Sequence, residues 1–276
     1  MITKYQCIVN NEIDIFLSTI KNDKFKEIVS YTLENGKRLR PMILIDIFNS
    51  IYNCDKKCDI NINKISLIVE FLHNISLILD DLPCMDNDIY RRNKLTVHSK
   101  YNETIVNIVT NFLITEIYNI YNKYIITNNI LLLDILNNNL SKVSVGQYLD
   151  LNNNRSNINL IKNDINLKTY PLFAISFIFG YILAGGDIQN LNLLEQISIK
   201  FSMIFQICDD FEDYEEDKNK KCIIMNYVIL LGKDNAFNLY QNERSEFIVL
   251  MKSIHLYSDL FNDIINYLNL KIEKYL

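Results

Sequence analysis

The sequence predicts an all-α fold, and three observations lead there. Six glycines and three prolines in 276 residues leave little of the punctuation that short strands and tight turns need. Two long segments, Lys64 to Leu79 and Leu193 to Cys208, carry apolar residues at the three-and-four spacing of a helix face. An uncharged run from Tyr170 to Gly186 reads as a helix buried on all sides. With 49 % hydrophobic and 22 % charged residues the chain is globular and long enough to bury a substantial core. No internal repeat or linker divides it, so residues 1–276 are read as one domain.

The start, MITKYQCIVNNEIDIF, has neither the order of a secretory signal nor the composition of a transit peptide. A protein used where it is made is therefore expected, in a cytoplasm or, if organelle-encoded, an organelle stroma. A net charge of −5 argues against a nucleic-acid surface, which needs a basic face. The six cysteines are scattered, and the close pair CDKKC has no second pair to complete a zinc site, so they are read as reduced thiols. Heavy use of Ile, Asn, Lys and Tyr reads as composition bias.

Residues 34–41, ENGKRLRP, offer Lys37, Arg38 and Arg40. No Walker loop is present, because the GxxxxGK[ST] spacing is absent. Between Lys64 and Leu79 the apolar positions Ile65, Ile68, Val69, Leu72, Ile75 and Leu79 define a mostly buried helix that runs straight into Asp80. There follow Asp81, Asp86 and Asp88, with Arg91 and Arg92 close behind. On a straight helix Asp80 and Asp86 would point about 240° apart, but Pro83 breaks the helix, and a bulged turn can bring Asp86 back beside Asp80. Crowded carboxylates at a helix end are costly unless something pairs with them, and they suit hard, oxygen-loving ions. Asn-rich residues 151–164 read as a solvated connection. The run from Tyr170 is near the lower limit for a membrane span but holds Pro171, Ser176, Gly180, Gly185 and Gly186, and a core helix is preferred. From Leu193 the second amphipathic helix runs into Asp209, Asp210 and Asp213. Asp209 and Asp213 lie about 40° apart on one face and can share a cation.

Together these stretches resemble the isoprenyl diphosphate synthase family, the head-to-tail prenyltransferases. GKRLRP is similar to the family's GKRxRP element, and DDLPCMDNDIYRR to its first aspartate-rich motif in the longer DDxxxxD form. GQYLDL from Gly146, Lys168-Thr169 and FQICDDFED from Phe205 resemble the remaining elements. The resemblance implies one bundle of ten or more helices around a central cavity, with the acidic helix ends facing each other at its mouth, and a homodimer with no transmembrane segment. It implies magnesium, three ions with substrate bound, held by Asp80, Asp81 and Asp86 on one side and Asp209, Asp210 and Asp213 on the other. Lys37, Arg40, His73 and Arg92 would hold isopentenyl diphosphate, and Arg91 would touch the allylic diphosphate. Lys168 would draw charge toward the departing diphosphate, while Thr169 and Gln206 would set oxygen dipoles near the allylic cation. His98 is left structural.

Product length in the family depends on side chains four and five positions before the first aspartate. Here these are Ser76 and Ile75, neither aromatic, and DDLPCMDND is similar to the phrase in twenty-carbon synthases. Geranylgeranyl diphosphate is the expected product, farnesyl diphosphate the second and a longer chain the third. The chain departs from the family at DKNKKCIIMNYVILLGKD, where GKxxGxD is common, so Lys218, Lys220 and Lys221 all stay open as diphosphate contacts. Leu79 replaces a common histidine, and SVGQ has one glycine where GGQ is usual. A class I terpene cyclase is disfavoured by the DDxxD form of the second motif, a non-catalytic partner subunit by the integrity of both motifs, and an unrelated scaffold by their order.

Overall fold

Every residue from Tyr170 to Leu183 is buried, as a helix without a charged side chain requires. The computed structural model describes residues 1–52, 60–152, 165, 167–219 and 226–276, the side chains of 150–152 excepted. Its helices are α1 (Ile2–Ser18), α2 (Asp23–Leu33), α3 (Leu39–Ile51), α4 (Ile62–Asp80), α5 (Val97–Tyr101), α6 (Glu103–Tyr124) and α7 (Asn129–Asn152), followed by α8 (Tyr170–Leu183), α9 (Leu191–Glu212), α10 (Tyr214–Asn219), α11 (Tyr227–Leu231), α12 (Lys233–Ser253) and α13 (Asp259–Glu273). The fold is all-α. The part of the Asn-rich connection at 153–164 lies outside the described residues, as do Cys54, Cys58 and Cys222; Cys7, Cys84 and Cys208 are free thiols.

α8 packs on α3, α7 and α9, α4 packs on α3 and α6, and α12 covers α9. The close approach of α3 and α8 depends on Gly180, where a Cβ would stand 2.6 Å from the carbonyl oxygen of Leu44. One continuous cluster of buried apolar side chains runs from Tyr5 to Ile272. Burying each large side chain in it is worth about 1.5–3 kcal/mol. Among the described residues only α4 is long and apolar enough to cross a membrane, yet 67 % of that stretch is buried inside the protein and it carries Glu70, His73 and Asp80. It is a core helix, packed on α1, α2, α3, α6 and α8.

Asparagine does more than reflect composition. The side chains of Asn22, Asn61 and Asn102 each accept a bond from the backbone N–H three residues on, all at 3.0 Å, and so start α2, α4 and α6. Such caps are worth about 1 kcal/mol each. The other departure from a purely helical expectation is a ribbon of β1 (Tyr90–Arg91) and β2 (Lys94–Leu95). Its two-residue turn puts Arg92 and Asn93 at φ of 52° and 61°, the double positive φ of a type I′ turn, without a glycine to signal it.

Distant parts of the chain meet at Asp46 on α3. Tyr5 Oη donates to Asp46 Oδ1 at 2.9 Å, and Ser258 Oγ, at the N-terminus of α13, donates to Oδ2 at 2.6 Å. Burial raises the Asp46 carboxyl above its ordinary range, against the two hydrogen bonds, which favour ionisation. A raised folded pKa means stability that is full below the unfolded value, about 3.9, and is lost as pH rises through the folded value. Asp46→Asn, neutral throughout, should therefore gain in melting temperature relative to the parent as pH rises from acid to neutral. A relative loss on that climb would mean that the ionised carboxylate is the stabilising form.

Candidate active site

α4 ends where Pro83 cannot continue it. The chain then folds back: the Asp86 N–H donates to the carbonyl of Asp80 at 2.9 Å and the Asn87 N–H to that of Leu82 at 3.1 Å. Asp86 thus returns beside Asp80. Burial raises the Asp80 pKa to about 6; the charge of Lys168 opposes the rise and that of Asp86 adds to it. Gln147 Nε2 on α7 holds Asp80 Oδ1 at 2.7 Å. Asp81 turns the other way, 2 % exposed, and takes Arg91 Nε on Oδ1 at 2.5 Å, while Arg91 Nη2 reaches Asp88 at 3.2 Å.

The end of α9 repeats this division. The Asp213 N–H donates to the Asp209 carbonyl at 2.9 Å, so the two carboxylates stand one turn apart on one face. Desolvation and then the charges of Asp209 and Asp217 raise Asp213 to about 6. Asp210 points inward, where Oδ2 accepts from the Tyr227 N–H at 2.7 Å and Oδ1 from Gln206 Nε2 at 2.9 Å. Burial still lifts it to about 7 against those bonds. Thr169 Oγ1 donates to Gln206 Oε1 at 3.1 Å, which links the start of α8 to α9. Among the described residues no three carboxylate, histidine or cysteine side chains close a metal site by themselves. Two carboxylates at each end, with room for outside oxygens, fit magnesium, which keeps waters and takes phosphate oxygens to finish its octahedron.

The cationic groups gather between the acidic ends. Arg40 is 9 % exposed, with its guanidinium carbon 4.3 Å from the Phe173 ring centroid and its Nε unpartnered. Burial lowers its pKa to about 10, while Glu70 and Asp209 hold it up. Burial also lowers Arg92, again against Glu70. His73 is pushed well below the ordinary histidine range by burial and then by Arg40 and Arg92, so it is neutral at pH 7, and its Nδ1 is buried without a partner. Lys37 is exposed, and its charge reaches Asp209. The ribbon thus separates two consecutive arginines: Arg91 serves the first acidic end, and Arg92 joins Arg40 and His73.

Beneath Asp80 a cavity of about 380 Å³ is walled by Leu72, Ile75, Ser76 and Leu79 of α4 and, opposite, by Ile114 and Tyr118 of α6. Ser76 Oγ folds back onto the carbonyl of His73 at 2.8 Å, so the α4 wall is effectively apolar, while Thr110, whose Oγ1 has no partner, and Ser144 add hydroxyls elsewhere in the lining.

Four contributors carried no role in the sequence reading. Gln147 stood in GQYLDL, but its bond to Asp80 spans 67 residues. Asn226 donates to the Asp210 carbonyl at 2.8 Å and to Asp217 at 3.1 Å while capping α11, so the NYV of the stretch that departs from GKxxGxD holds the Asp210 backbone in place. Lys271 of α13 donates to Asp209 Oδ1 at 3.0 Å and also pairs with Glu212; a lone lysine at a chain's end gives no signal of this. Glu70, one turn before His73, is the fourth. Lys218 lies 5.5 Å from the Tyr214 ring, and Lys220 and Lys221 fall outside the described residues.

Residues 22–223 match the family described as polyprenyl synthetase. The chain is similar to a trans-prenyltransferase of African swine fever virus (isolate Pig/Kenya/KEN-50/1950), 27 % identical with 95 % of this chain and 80 % of the relative covered. It is similar to a farnesyl diphosphate synthase of Buchnera aphidicola subsp. Acyrthosiphon pisum, 30 % identical, covering 84 % and 88 %. Among solved structures it is similar to a geranyltransferase from Helicobacter pylori complexed with magnesium and isoprenyl diphosphate, with a TM-score of 0.76, 26 % identity and 96 % of each chain covered.

Proposed function

Because this chain belongs to the polyprenyl synthetase family and is a head-to-tail short-chain prenyltransferase, we propose that it condenses isopentenyl diphosphate with allylic diphosphates, using magnesium, to give geranylgeranyl diphosphate. The observation that carries the reading is the mostly apolar cavity lined by the turns of α4 that lead up to Asp80, from Leu72 to Leu79, where an allylic tail would sit with its diphosphate between the two acidic ends.

Asp80 and Asp86, with Asp209 and Asp213 opposite, would hold magnesium; Asp81 and Asp210, bound to Arg91 and to the Tyr227 N–H, would orient these pairs. When bound, magnesium would neutralise the diphosphate and, together with Lys168, stabilise it as it departs. Lys37, Arg40, His73 and Arg92 hold isopentenyl diphosphate, the unpartnered Arg40 Nε and the neutral His73 ring being groups an anion would complete. Arg91 exchanges Asp81 for the allylic diphosphate. The allylic C–O bond breaks with its electron pair leaving on diphosphate, and the double bond of isopentenyl diphosphate attacks the allylic carbon. A proton then passes to the released diphosphate. Thr169 and Gln206 turn oxygen dipoles toward the cation, and the cavity walls exclude the water that would quench it.

From Asp80 back to Leu72 the wall runs eight residues, about 12 Å of helix. An isoprene unit, four chain bonds against the three of a peptide residue, extends about 4–5 Å. The wall therefore covers between two and three units, and the absence of an aromatic at 75 and 76 favours the longer tail and a twenty-carbon product. A fifteen-carbon stop is the second reading, favoured by the name of the Buchnera relative. A second copy of the chain is the proposed partner. Ile108, Ile114 and Tyr118 on α6 and Val145 and Tyr148 on α7 are exposed large side chains, two of which also wall the cavity.

The test is incubation of labelled isopentenyl diphosphate with five-, ten- and fifteen-carbon allylic partners, with and without magnesium. Magnesium-dependent twenty-carbon product is expected, from a species sedimenting at about twice 32.5 kDa. Fifteen-carbon product alone would select the second reading, and no elongation by folded protein would point to a non-catalytic partner subunit.

A further inference from the structure

Glu70 is a buried carboxylate with no part in the chemistry above. It is 1 % exposed on α4, and its Oε1 accepts from Arg38 Nη1 and from Asn74 Nδ2, the latter at 3.0 Å. Arg38 is equally committed. Its Nη2 donates to the Leu33 carbonyl at 2.5 Å and its Nε to Asn10 Oδ1 at 2.9 Å, so one guanidinium ties together α1, the end of α2 and α4. Its backbone is left-handed, with φ of 59°, immediately before α3 begins. A non-glycine residue keeps that conformation only where its surroundings enforce it.

The consequence falls on the neighbours in sequence. Lys37 precedes Arg38 and Arg40 follows two residues later, so the direction in which both project depends on how the Arg38 backbone is held. Gly36 completes the clamp: a Cβ there would lie 2.2 Å from Arg38 Nη1 and 2.8 Å from Glu70 Oε1, so the loop is seated directly on the ion pair. From the same turn of α4, three residues on, His73 faces Arg40 and Arg92. Glu70 is also the group whose charge most favours the ionised forms of both arginines.

We infer that Glu70 is a positioning residue for the isopentenyl diphosphate site, acting through Arg38 to hold residues 34–40 so that Lys37 and Arg40 converge with His73 and Arg92. The inference rests on the reading of those four residues as that site. A carboxylate is needed because a charge-assisted fork holds geometry more firmly than a neutral bond, and because several buried cations without a counter-charge would repel one another whenever the diphosphate is absent.

Steady-state kinetics of the parent enzyme, Glu70→Gln, Asn10→Ala and Arg40→Ala test it, each with a thermal melt. Glu70→Gln should raise KM for isopentenyl diphosphate about tenfold or more, with kcat and the allylic KM changed by less than about threefold. Asn10 is exposed and touches only the outer edge of Arg38, so Asn10→Ala should fold and show the same selective rise at a smaller size. Arg40→Ala separates the two levels of argument: if it leaves KM for isopentenyl diphosphate unchanged, the site itself is misread. If Arg40→Ala raises that KM while Glu70→Gln and Asn10→Ala do not, the site stands and the positioning role is wrong. Tighter isopentenyl diphosphate binding by Glu70→Gln would show Glu70 to be only an opposing charge, which also overturns the inference. Should Glu70→Gln fail to fold, Asn10→Ala decides.

Discussion

Asp80→Asn lowers kcat by roughly 10²–10³-fold, and Asp209→Asn does the same, while Asp81→Asn costs markedly less. The contrast follows from where each carboxylate points. Asp80 and Asp86 are brought together by the folded-back loop, and Asp209 and Asp213 share a helix face; Gln147 and Lys271 each take only Oδ1 of Asp80 and Asp209, whereas Asp81 is buried against Arg91 and Asp210 is buried with both oxygens taken, by a backbone N–H and by Gln206. Asparagine keeps the shape and can still accept the Gln147 bond, so the loss falls on charge. In magnesium-free buffer at pH 7 the melting temperature of Asp80→Asn should match or exceed that of the parent. The Asp80 pKa of about 6 lies above the unfolded value, so its contribution to stability is full in acid and lost as pH rises through 6. Removing the charge at pH 7 relieves that cost. Equal kinetic losses at Asp80 and Asp81 would sink the division between metal-facing and orienting aspartates.

Ser76→Phe shifts the principal product to fifteen carbons or fewer, with turnover on the five-carbon partner kept within about threefold. Ser76 lies one helical turn before Asp80 and walls the cavity of about 380 Å³, and its hydroxyl makes no bond beyond its own helix. A phenyl ring there enters empty space, so the cost in stability should stay below the roughly 1–3 kcal/mol of overpacking. It stands where the second or third isoprene unit of a growing tail would pass. Chain length resolved by reversed-phase chromatography is the readout. An unchanged distribution would mean that the tail follows another path, and loss of the first condensation would mean that the ring disturbs the diphosphate site itself.

Much of this architecture is legible in the sequence, because helix geometry is local. Apolar spacing over Lys64 to Leu79 and Leu193 to Cys208 predicts two buried helices, and both run into aspartates as expected, α4 to Asp80 and α9 to Glu212. Pro83 marks the break that returns Asp86 to Asp80, and the angular step between Asp209 and Asp213 is a property of one helix turn. The ribbon at 90–95 escapes such a reading because its turn uses Arg92 and Asn93 in place of glycine.

What the sequence by itself determined is the all-α class, the order of the motifs and which residues share a helix end, since all of these depend on neighbours within about a turn of the chain. Only the tertiary structure decided which carboxylate of each pair looks outward, and that Gln147 and Lys271 come up against the acidic ends while Glu70 comes up against Arg38. Each of those choices is a contact beyond one helix turn, across 10 residues for Arg91 on Asp81, 17 for the Tyr227 N–H on Asp210, and 32 to 67 for Glu70, Lys271 and Gln147. Hydrogen-bonded burial of a charge is worth having only when the partner arrives from elsewhere in the fold, and no local pattern records where that partner comes from.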